Sequence, residues 1–301
     1  HHTLSGPATR HLMRRALETY GDVRYARLAT ISVGHLYNLR KRSGYRERRQ
    51  VFTKTRATGL AIGERRAPAP DNRPGFIRID SVHQGDQDGV KGVYHINAVD
   101  CVTQWELVAT CEKISEAFLL PVIQALLDGF PFVILGFHAD NGSEYINRQV
   151  AKMLDKLCVE FTKSRPRHSN DNGLAETKNG AVVRKHLGYS HIPQRHAQEV
   201  NAFCVEHLNP YVNFHRPCLF AQEVADKKGK IHKRYPLDRV MTPLEKLLSL
   251  PSADTFLKPG VTLDALKTQA RAVSDNEAAQ RLNEARQRLF LSLHKRSRTA
   301  A

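Results

Sequence analysis

The sequence predicts an α/β fold in which a mixed β-sheet carries helices on both faces, between two basic flanking regions. Strand and helix patterns alternate along the centre of the chain in the order β-β-β-α-β-α-β-α, which is typical of such sheets. One strand pattern, Phe132–Phe137, is apolar throughout, as in strands buried on both faces. Two others, Gly92–Val99 and Gln104–Thr110, are only a few residues apart, so we expect them to be antiparallel neighbours.

Residues 1–55 predict a helical part that binds DNA. Helices are expected over Ala8–Tyr20, Val23–Ala29 and Val33–Lys41, with a break at Gly21 and a cap at Ser32. This succession resembles a helix-turn-helix unit, whose second helix enters the major groove of DNA. The alternative is an ordinary pair of solvated helices. In the helix-turn-helix interpretation, the residues that face DNA are Ser32, His35, Asn38 and Arg40.

The middle of the chain divides into a linker and a core. Residues 56–75 are rich in Pro, Gly and Arg and lack apolar periodicity, which predicts a basic linker. Residues 76–215 carry the alternating patterns and are predicted to form the core. Besides the three strands already named, its predicted elements are the strands Phe76–Val82 and Val159–Thr162 and the helices Ser115–Leu127, Glu144–Leu157 and Asn172–Leu187.

Residues 216–301 are predicted to form a basic C-terminal region. Ala225–Val240 is rich in Lys and Arg and indicates either a small β unit or a loop; it would contact phosphates, or else be a solvated loop. A helix is expected to start at Thr242. Ser274–Lys295 carries small and apolar residues on one side, so we expect an amphipathic helix that is a candidate contact between protomers.

Charge and composition indicate the class of partner. The net charge is +16 and the pI is about 9.8, which favours a polyanion, most often a nucleic acid. The excess lies in the flanks: residues 1–75 carry +11 and residues 216–301 carry +8, whereas residues 76–215 carry −3. Hydrophobic residues make up 41%, which excludes a wholly disordered chain. Five scattered Cys and no convincing membrane span predict a cytoplasmic protein.

Three acidic residues are candidates for chemistry. Asp80 lies inside an apolar strand, where a carboxylate is costly unless it is paired or binds a metal. Asp140 follows a buried strand directly, at the edge where α/β sheets place ligand groups. Glu176 lies in the first turn of a predicted helix. If the three carboxylates converge, they supply hard oxygen ligands for Mg²⁺. Taken singly, Asp140 is explained as a turn residue and Glu176 as surface charge.

The spacing and surroundings of these acids resemble the signature of retroviral-type integrases and of related bacterial insertion-sequence transposases. Fifty-nine residues separate Asp80 from Asp140, and thirty-five separate Asp140 from Glu176. The resemblance covers residues 76–220 and depends on the combined set of motifs. The matching segments are Ile79-Asp80-Ser81-Val82-His83, His138-Ala139-Asp140-Asn141-Gly142-Ser143-Glu144-Tyr145, Arg165-Pro166-Arg167, Asp171-Asn172-Gly173-Leu174-Ala175-Glu176 and Asn213-Phe214-His215-Arg216-Pro217.

This resemblance implies a DDE-type transposase or integrase with a ribonuclease-H-like core, a mixed five-stranded sheet with flanking helices. Members of the family use two Mg²⁺ (or Mn²⁺) ions for an in-line displacement at phosphorus. Asp80 and Asp140 would then bridge the ions, and Glu176 would ligate one of them. Water would cut the ends of an insertion element in double-stranded DNA, and the exposed 3′-OH would attack target DNA. The protein would act on DNA as a homo-oligomer, a dimer or higher.

The sequence also departs from the family's pattern. Retroviral integrases carry Lys four and seven residues after the Glu, where this chain has Gly180 and Val183. The residues predicted to contact the DNA end in their place are Lys178, Asn179, Arg184 and Lys185.

Several alternatives stay open. The chain could be a metal-dependent nuclease of the same fold that forms no strand-transfer product, or a DNA-binding regulator without catalysis. Intact Asp80, Asp140 and Glu176 argue against the regulator. A zinc site is a separate alternative, although its two ligand pairs are closer together than in common zinc motifs. Its ligands would be Cys204, His207, His215 and Cys218.

Overall fold

The computed structural model of the protein describes residues 4–42, 45, 64–140, 150–151, 153–154, 159–165, 171–226 and 231–299. The helices are α1 (Gly6–Glu18), α2 (Val33–Arg40), α3 (Glu116–Gly129), α4 (Gly173–Lys178), α5 (Arg184–Leu187), α6 (Ala197–Phe203), α7 (Pro243–Leu248), α8 (Leu263–Arg271) and α9 (Asp275–Thr299). A π-helical turn, Asn179–Val183, joins α4 to α5, and two more, Cys204–Leu208 and Tyr211–His215, follow α6. None of the helices in the described part of the chain is long and apolar enough to cross a membrane.

The strands are β1 (Glu64–Arg65), β2 (Phe76–His83), β3 (Asp86–Gln87), β4 (Val90–Lys91), β5 (Tyr94–Asp100), β6 (Glu106–Cys111), β7 (Gly136–Ala139), β8 (Glu160–Lys163), β9 (Cys218–Leu219), β10 (Gln222–Ala225), β11 (Ile231–Arg234) and β12 (Val240–Met241). The main sheet has the order β1-β8-β7-β2-β5-β6. Strands β2, β5 and β6 are antiparallel neighbours, whereas β2, β7, β8 and β1 run parallel.

The strand order and directions of β6-β5-β2-β7-β8 are those of a ribonuclease-H-like sheet with flanking helices, so the predicted fold class is confirmed. The sixth strand, β1, was not predicted. It lies in the segment expected to be a linker and extends the sheet beyond β8 at Glu64 and Arg65. Residues 56–63 of that segment lie outside the described residues.

The apolar run Phe132–Phe137 is only partly a strand. The backbone joins the sheet at Gly136, and the backbone of the preceding residues bonds to a C-terminal segment. Val133 donates its N–H to Phe256 O at 2.9 Å, and the Lys258 N–H donates to Pro131 O at the same distance. Phe132 is fully buried, whereas Val133 is 45% exposed and Ile134 and Leu135 are half-buried. The expectation of a strand buried over the whole run is therefore correct only for Gly136 and Phe137.

The two faces of the main sheet bury different clusters. Ile77 and Ile79 on β2 point into a core formed with α3, α7 and α8. Val82 points to the opposite face, where it packs with residues of the α4–α5 segment, α6 and α9. Because side chains alternate along a strand, Arg78 and Asp80 share the face of Val82. The central acid of the candidate site therefore faces the layer that contains α4.

A ladder of asparagine amides covers the free edge of β6. Asn213 accepts from Glu106 N at 2.8 Å and donates to Glu106 O at 2.8 Å. Asn209 makes the same pair of bonds to Val108, at 2.8 and 3.1 Å, and Asn201 accepts from Thr110 N at 3.1 Å. Each amide takes the place of a peptide group in a neighbouring strand. The helical segment thus satisfies an edge that would otherwise be open to strand pairing.

Asn213→Ala is expected to lower the free energy of unfolding by about 2 kcal/mol, because it leaves a buried N–H and C=O of Glu106 without partners. Urea denaturation measures this loss. Asn38→Ala, at an exposed helical position, is the matched control and is expected to change the free energy by less than about 0.5 kcal/mol. Equal stability of the two variants would show that the ladder does not stabilise the sheet.

The N-terminal helices lie against the core. Leu4, Ala8 and Leu12 pack against Val240 of β12, which places α1 next to the C-terminal region. The middle helix expected over Val23–Ala29 is only a 3-10 turn at Val23–Tyr25. Helices α1 and α2 are in contact with each other, as a helix-turn-helix unit requires. Helix α1 also packs against the rest of the protein, so the predicted DNA-binding part is attached to the core.

A buried ionic cluster holds α1 in place. Arg15 forms ion pairs with Glu245 at 2.6 Å and with Asp275 at 3.0 Å. His215 Nδ1 lies 2.9 Å from the other Asp275 oxygen, and His11 Nε2 lies 3.3 Å from Glu245. The cluster connects α1, α7, α9 and the segment that precedes β9. We call it the Arg15 cluster.

The Arg15 cluster predicts acid sensitivity. Burial alone would raise the pKa of Glu245, but hydrogen bonds and charge from His11, Arg15 and the Thr242 N–H lower it from 4.5 to about 2. A carboxyl with a lowered folded-state pKa stabilises the fold above pH 4.5 and loses that effect as the pH falls towards 2. After allowance for the partial exposure of Glu245, its ionised carboxylate contributes about 2 kcal/mol to the free energy of unfolding. We expect the stability difference between wild type and Glu245→Gln to be constant above pH 5.5 and to shrink below pH 4.5 in denaturation series.

Candidate metal centre

Asp80 and Asp140 lie side by side at the centre of the sheet. Strands β2 and β7 are parallel, and their register pairs Ile79 with Ala139. Asp80 and Asp140 are the residues that follow this pair, on strand lines about 4.8 Å apart, and the strand pleat predicts both carboxylates on the same face. Both residues are half-buried. That the two acids form one site stays a prediction.

Glu176 lies on the helix that covers this face. Asn172 donates its amide to Ile79 O at 3.2 Å, and Asn179 donates to Asp80 Oδ2 at 2.7 Å. Asn172, Glu176 and Asn179 are four and three residues apart, which places them along one side of a helix. Glu176 lies between Asn172 and Asn179 on this side of the helix, but Asp80, Asp140 and Glu176 are not close enough together in the structure to form a three-ligand metal site. Its side chain is exposed.

Two asparagines orient the Asp80 carboxylate. Asn97 lies directly across the strand pair from Asp80 and is fully buried. It donates to Asn179 Oδ1 at 2.9 Å, and Asn179 in turn donates to Asp80. The first residue of the π-helical turn is Asn179, and such turns occur often at functional sites. Sequence reasoning missed Asn97, although an amide inside an apolar strand is the same signal that singled out Asp80.

The donor chemistry of the two aspartates fits Mg²⁺. Among the residues that the structure describes, no group of three or more His, Cys, Asp or Glu side chains is close enough to hold a metal ion. A closed protein cage is therefore absent from that part of the chain. Mg²⁺ is usually held by one or two carboxylates and completes its octahedron with water and substrate phosphates, so the Asp80–Asp140 pair fits this ion.

The two histidines next to the acids are packed within the protein. His138 is buried, and it hydrogen-bonds to Thr162 Oγ1 at 2.8 Å and to Ser164 Oγ at 3.3 Å. Burial and the positive charge of Arg78 lower the pKa of His138 to about 4, so its ring is neutral at pH 7. His83 stacks on Tyr94 with ring centroids 4.5 Å apart.

The structure turns three of the predicted DNA-contact residues inward. Lys178 is buried between Glu106, 3.4 Å away, and the Cys218 thiol, 3.0 Å away. Arg184 donates to Gln84 Oε1 at 3.0 Å and to His83 O at 2.9 Å. Arg40 donates to Leu4 O and to Thr9 Oγ1, both at 2.7 Å. Each of these cations satisfies groups of its own fold, and DNA contact by the three residues stays a prediction.

The remaining predicted DNA contacts are placed as follows. Ser32, His35 and Asn38 are exposed on α2, and the Ser32 hydroxyl also caps that helix by accepting from His35 N at 3.1 Å. Lys185 is half-buried, and its carbonyl accepts from Arg286 at 3.4 Å. DNA contact by these four residues stays a prediction. The segments 141–149 and 166–170, which carry much of two motifs, lie outside the described residues.

The four candidate zinc ligands do not form one site. Cys204 is fully buried in the core, and burial raises the pKa of its thiol to about 12. His215 is engaged by Asp275, and Cys218 by Lys178. The Asn-x-x-Arg-Pro motif that contains His215 has a structural role instead: Asn213 holds the edge of β6, and Arg216 donates to Ala181 O at 3.2 Å.

Known proteins that resemble the chain are distant in sequence. No protein-family model matches it. A curated protein of Sinorhizobium fredii (strain NBRC 101917 / NGR234), called uncharacterized protein y4rM, is 26% identical over 166 residues. That match covers 55% of this chain and 47% of y4rM, so the chain spans about half the length of this curated relative.

Two solved structures also align with the chain. The catalytic core domain of BIV integrase aligns with a TM-score of 0.36 and 15% identity, over 47% of this chain and 85% of that one. A chain of the simian T-cell lymphotropic virus intasome, in complex with PP2A regulatory subunit B56 gamma, aligns with a TM-score of 0.35 and 16% identity, over 65% and 69%. At these values the alignments say nothing about activity, and the fold class is established by the strand order itself.

Proposed function

We propose that the chain is a DDE-type transposase or integrase that cuts DNA ends and joins them to target DNA with Mg²⁺ or Mn²⁺. The observation that carries the proposal is the adjacency of Asp80 and Asp140 in a ribonuclease-H-like sheet, beneath the helix of Glu176. The motif set in the sequence supports it independently. The basic flanking regions supply the charge that a DNA substrate requires.

In this proposal the chain's own residues place negative charge where a phosphodiester reacts. Asp80 and Asp140 would hold Mg²⁺ from adjacent strands, with Glu176 on the helix as the proposed third ligand. Mg²⁺ held there would supply activation of the attacking hydroxyl and stabilisation of the leaving oxygen. Asn179 fixes the direction of the Asp80 carboxylate through its 2.7 Å hydrogen bond. The side chain that binds the metal is thus oriented before metal or DNA arrives.

The proposed substrates are the ends of an insertion element and a target duplex. Water would release a 3′-OH at each end, and that 3′-OH would attack a target phosphodiester. The two ends must be cut and joined together, so we propose that a homo-oligomer assembles on DNA. The apolar side of α9, a predicted contact between protomers, is buried against the core in the described part of the helix. A contact between protomers through this helix stays a prediction, and it would use the exposed side of the helix.

A strand-transfer assay tests the function. The reaction contains the protein, labelled element-end DNA, a supercoiled target, and Mg²⁺ or EDTA. Metal-dependent joined product is the expected result. Cutting without joining would favour a nuclease of the same fold. Binding without either product, by a folded protein on correct ends, would contradict the enzyme and leave a DNA-binding regulator.

A further inference from the structure

A fully buried carboxylate lies behind the candidate metal centre. Glu106, the first residue of β6, is 0% exposed, and its neighbours Lys178 and Arg216 are 4% and 8% exposed. The Lys178 ammonium lies 3.4 Å from Glu106 Oε2. An unpaired charge at such a site would be strongly destabilising, so the three residues form a unit, which we call the Glu106 cluster.

Charge dominates the interactions of Glu106. Neither of its carboxylate oxygens accepts a hydrogen bond of ordinary geometry. The pKa of Glu106 is raised overall, because burial outweighs the charges of Lys178 and Arg216 and the amide of Asn97, which act in the opposite direction. Electrostatic attraction in a buried site is stronger than in water, which makes the positions of both cations sensitive to this one carboxylate.

Both cations are attached to the helix of the candidate centre. Lys178 is two residues beyond Glu176 and immediately precedes Asn179. Arg216 donates to Ala181 O at 3.2 Å, within the π-helical turn that starts at Asn179. The Glu106 cluster therefore fixes the helix on both sides of Asn179, at the turn from which its amide reaches Asp80.

Asn97 connects the cluster to Asp80 by a second route. It is fully buried, and it donates to Asn179 at 2.9 Å. Asn179 donates to Asp80 at 2.7 Å. Asn97 pairs in the strand register with Val108, two residues beyond Glu106 on β6, so Asn97 and Glu106 share one face of the sheet. The polar residues Glu106, Asn97, Asn179 and Asp80 thus follow one another across three strands and one helix.

We infer that Glu106 is a positioning residue, which sets the orientation of the Asp80 carboxylate through Asn97, Asn179 and the two buried cations. The inference rests on the proposed function, because it assigns Asp80 the task of holding a metal. Glu106 itself touches neither metal nor DNA in this account. Its removal changes the reaction rate by misdirecting Asp80, and leaves the DNA-binding surface unchanged.

Glu106→Gln and Asp100→Asn form a matched pair for the test. Both replace a fully buried carboxylate on the sheet by its amide. Asp100 makes its own hydrogen bonds to Gly75 N, Thr103 N and Thr103 Oγ1 and has no connection to Asp80 through these partners. Glu106→Gln is expected to lower kcat for Mg²⁺-dependent cleavage about tenfold with KM for DNA unchanged. Asp100→Asn is expected to lower stability and to leave kcat within twofold.

A cycle with Asn179→Ala separates positioning from general destabilisation. If Glu106 acts through Asn179, each single variant lowers kcat about tenfold, and the double variant lowers it little further. If the effects multiply to about a hundredfold, Glu106 acts by another route and the inference is wrong.

A second readout does not depend on activity. In metal-free protein with ¹⁵N-labelled asparagine, the side-chain amide resonances of Asn97 and Asn179 are expected to shift in Glu106→Gln and to stay in place in Asp100→Asn. Unmoved resonances in Glu106→Gln would overturn the inference. If the wild type does not cut DNA, the proposed function fails, and the amide resonances still decide the role of Glu106. If Glu106→Gln fails to fold, the double variant Glu106→Gln/Lys178→Met, which removes both charges, replaces it. If Asp100→Asn fails to fold, Thr103→Val replaces it.

Discussion

Replacement of Asp140 by Asn is expected to lower Mg²⁺-dependent DNA cleavage and joining by about a thousandfold, and Asp80→Asn should do the same. Each substitution keeps the shape of the side chain and removes a negative charge that a metal ion requires. A metal that is lost or misplaced no longer supplies several kcal/mol of transition-state stabilisation, which corresponds to a factor of this size. Initial rates of nicking on labelled DNA measure the effect.

The control for both variants is Asp128→Asn, an exposed carboxylate at the end of α3, on the helix that packs against the other face of the sheet. It should leave the rate within twofold. Circular dichroism and denaturation establish that all three variants are folded. The alternative explanation of Asp140 is a turn residue with no role in metal binding, and this experiment distinguishes that role from metal binding. A folded Asp140→Asn variant that cuts DNA at the wild-type rate would show that Asp140 is only a turn residue.

Arg15→Met is expected to lower the free energy of unfolding by about 3 kcal/mol. The side chain of Asp275 is 5% exposed, and the Arg15 guanidinium pairs with it at 3.0 Å. Removal of the guanidinium leaves this carboxylate and that of Glu245 with less compensation, and broken buried pairs typically cost 3–5 kcal/mol. Because Arg15 is on α1, amide hydrogen exchange within residues 6–18 should also accelerate. Denaturant unfolding and hydrogen exchange together measure both effects.

Arg14→Met is the matched control, since Arg14 is the exposed neighbour of Arg15 on the same helix. Its effect should stay below about 0.5 kcal/mol. A similar loss in both variants would show that helix properties, and not the Arg15 cluster, account for the change. Wild-type exchange of α1 in Arg15→Met would show that the apolar contacts of Leu4, Ala8 and Leu12 hold the helix without the cluster.

Much of the core and the candidate centre could be predicted from the sequence. The carboxylate of Asp80 stood out because an acid in an apolar strand needs a compensating partner, and the structure supplies one in Asn179. Asp140 was singled out because ligand groups follow buried strands, and the parallel register pairs the residues that precede Asp80 and Asp140, Ile79 and Ala139. Both inferences depend only on the local sequence pattern of a strand, in which side chains alternate between the two faces of the sheet.

Features that depend on long-range partners were not predictable. Lys178 and Arg184 have the composition of a DNA-binding helix face, yet Lys178 pairs with Glu106, and Arg184 donates to the carbonyl of His83 at the end of β2. Asn209 and Asn213 resemble ordinary polar helix residues, and their role appears only when the edge of β6 lies beside them. Glu106 carries the same signal as Asp80, an acid in an apolar strand, but its two cations, Lys178 and Arg216, are 72 and 110 residues away in the chain and could not be identified.

The central claim is that Asp80 and Asp140 together hold the metal ion that acts on DNA. The most direct test is the anomalous diffraction of Mn²⁺ in crystals of the protein bound to element-end DNA. The account predicts a peak on the sheet face between the two strands, about 2.1 Å from an oxygen of each aspartate, with a DNA phosphate in its shell. A peak at another site, or one that neither aspartate ligates, would contradict the account.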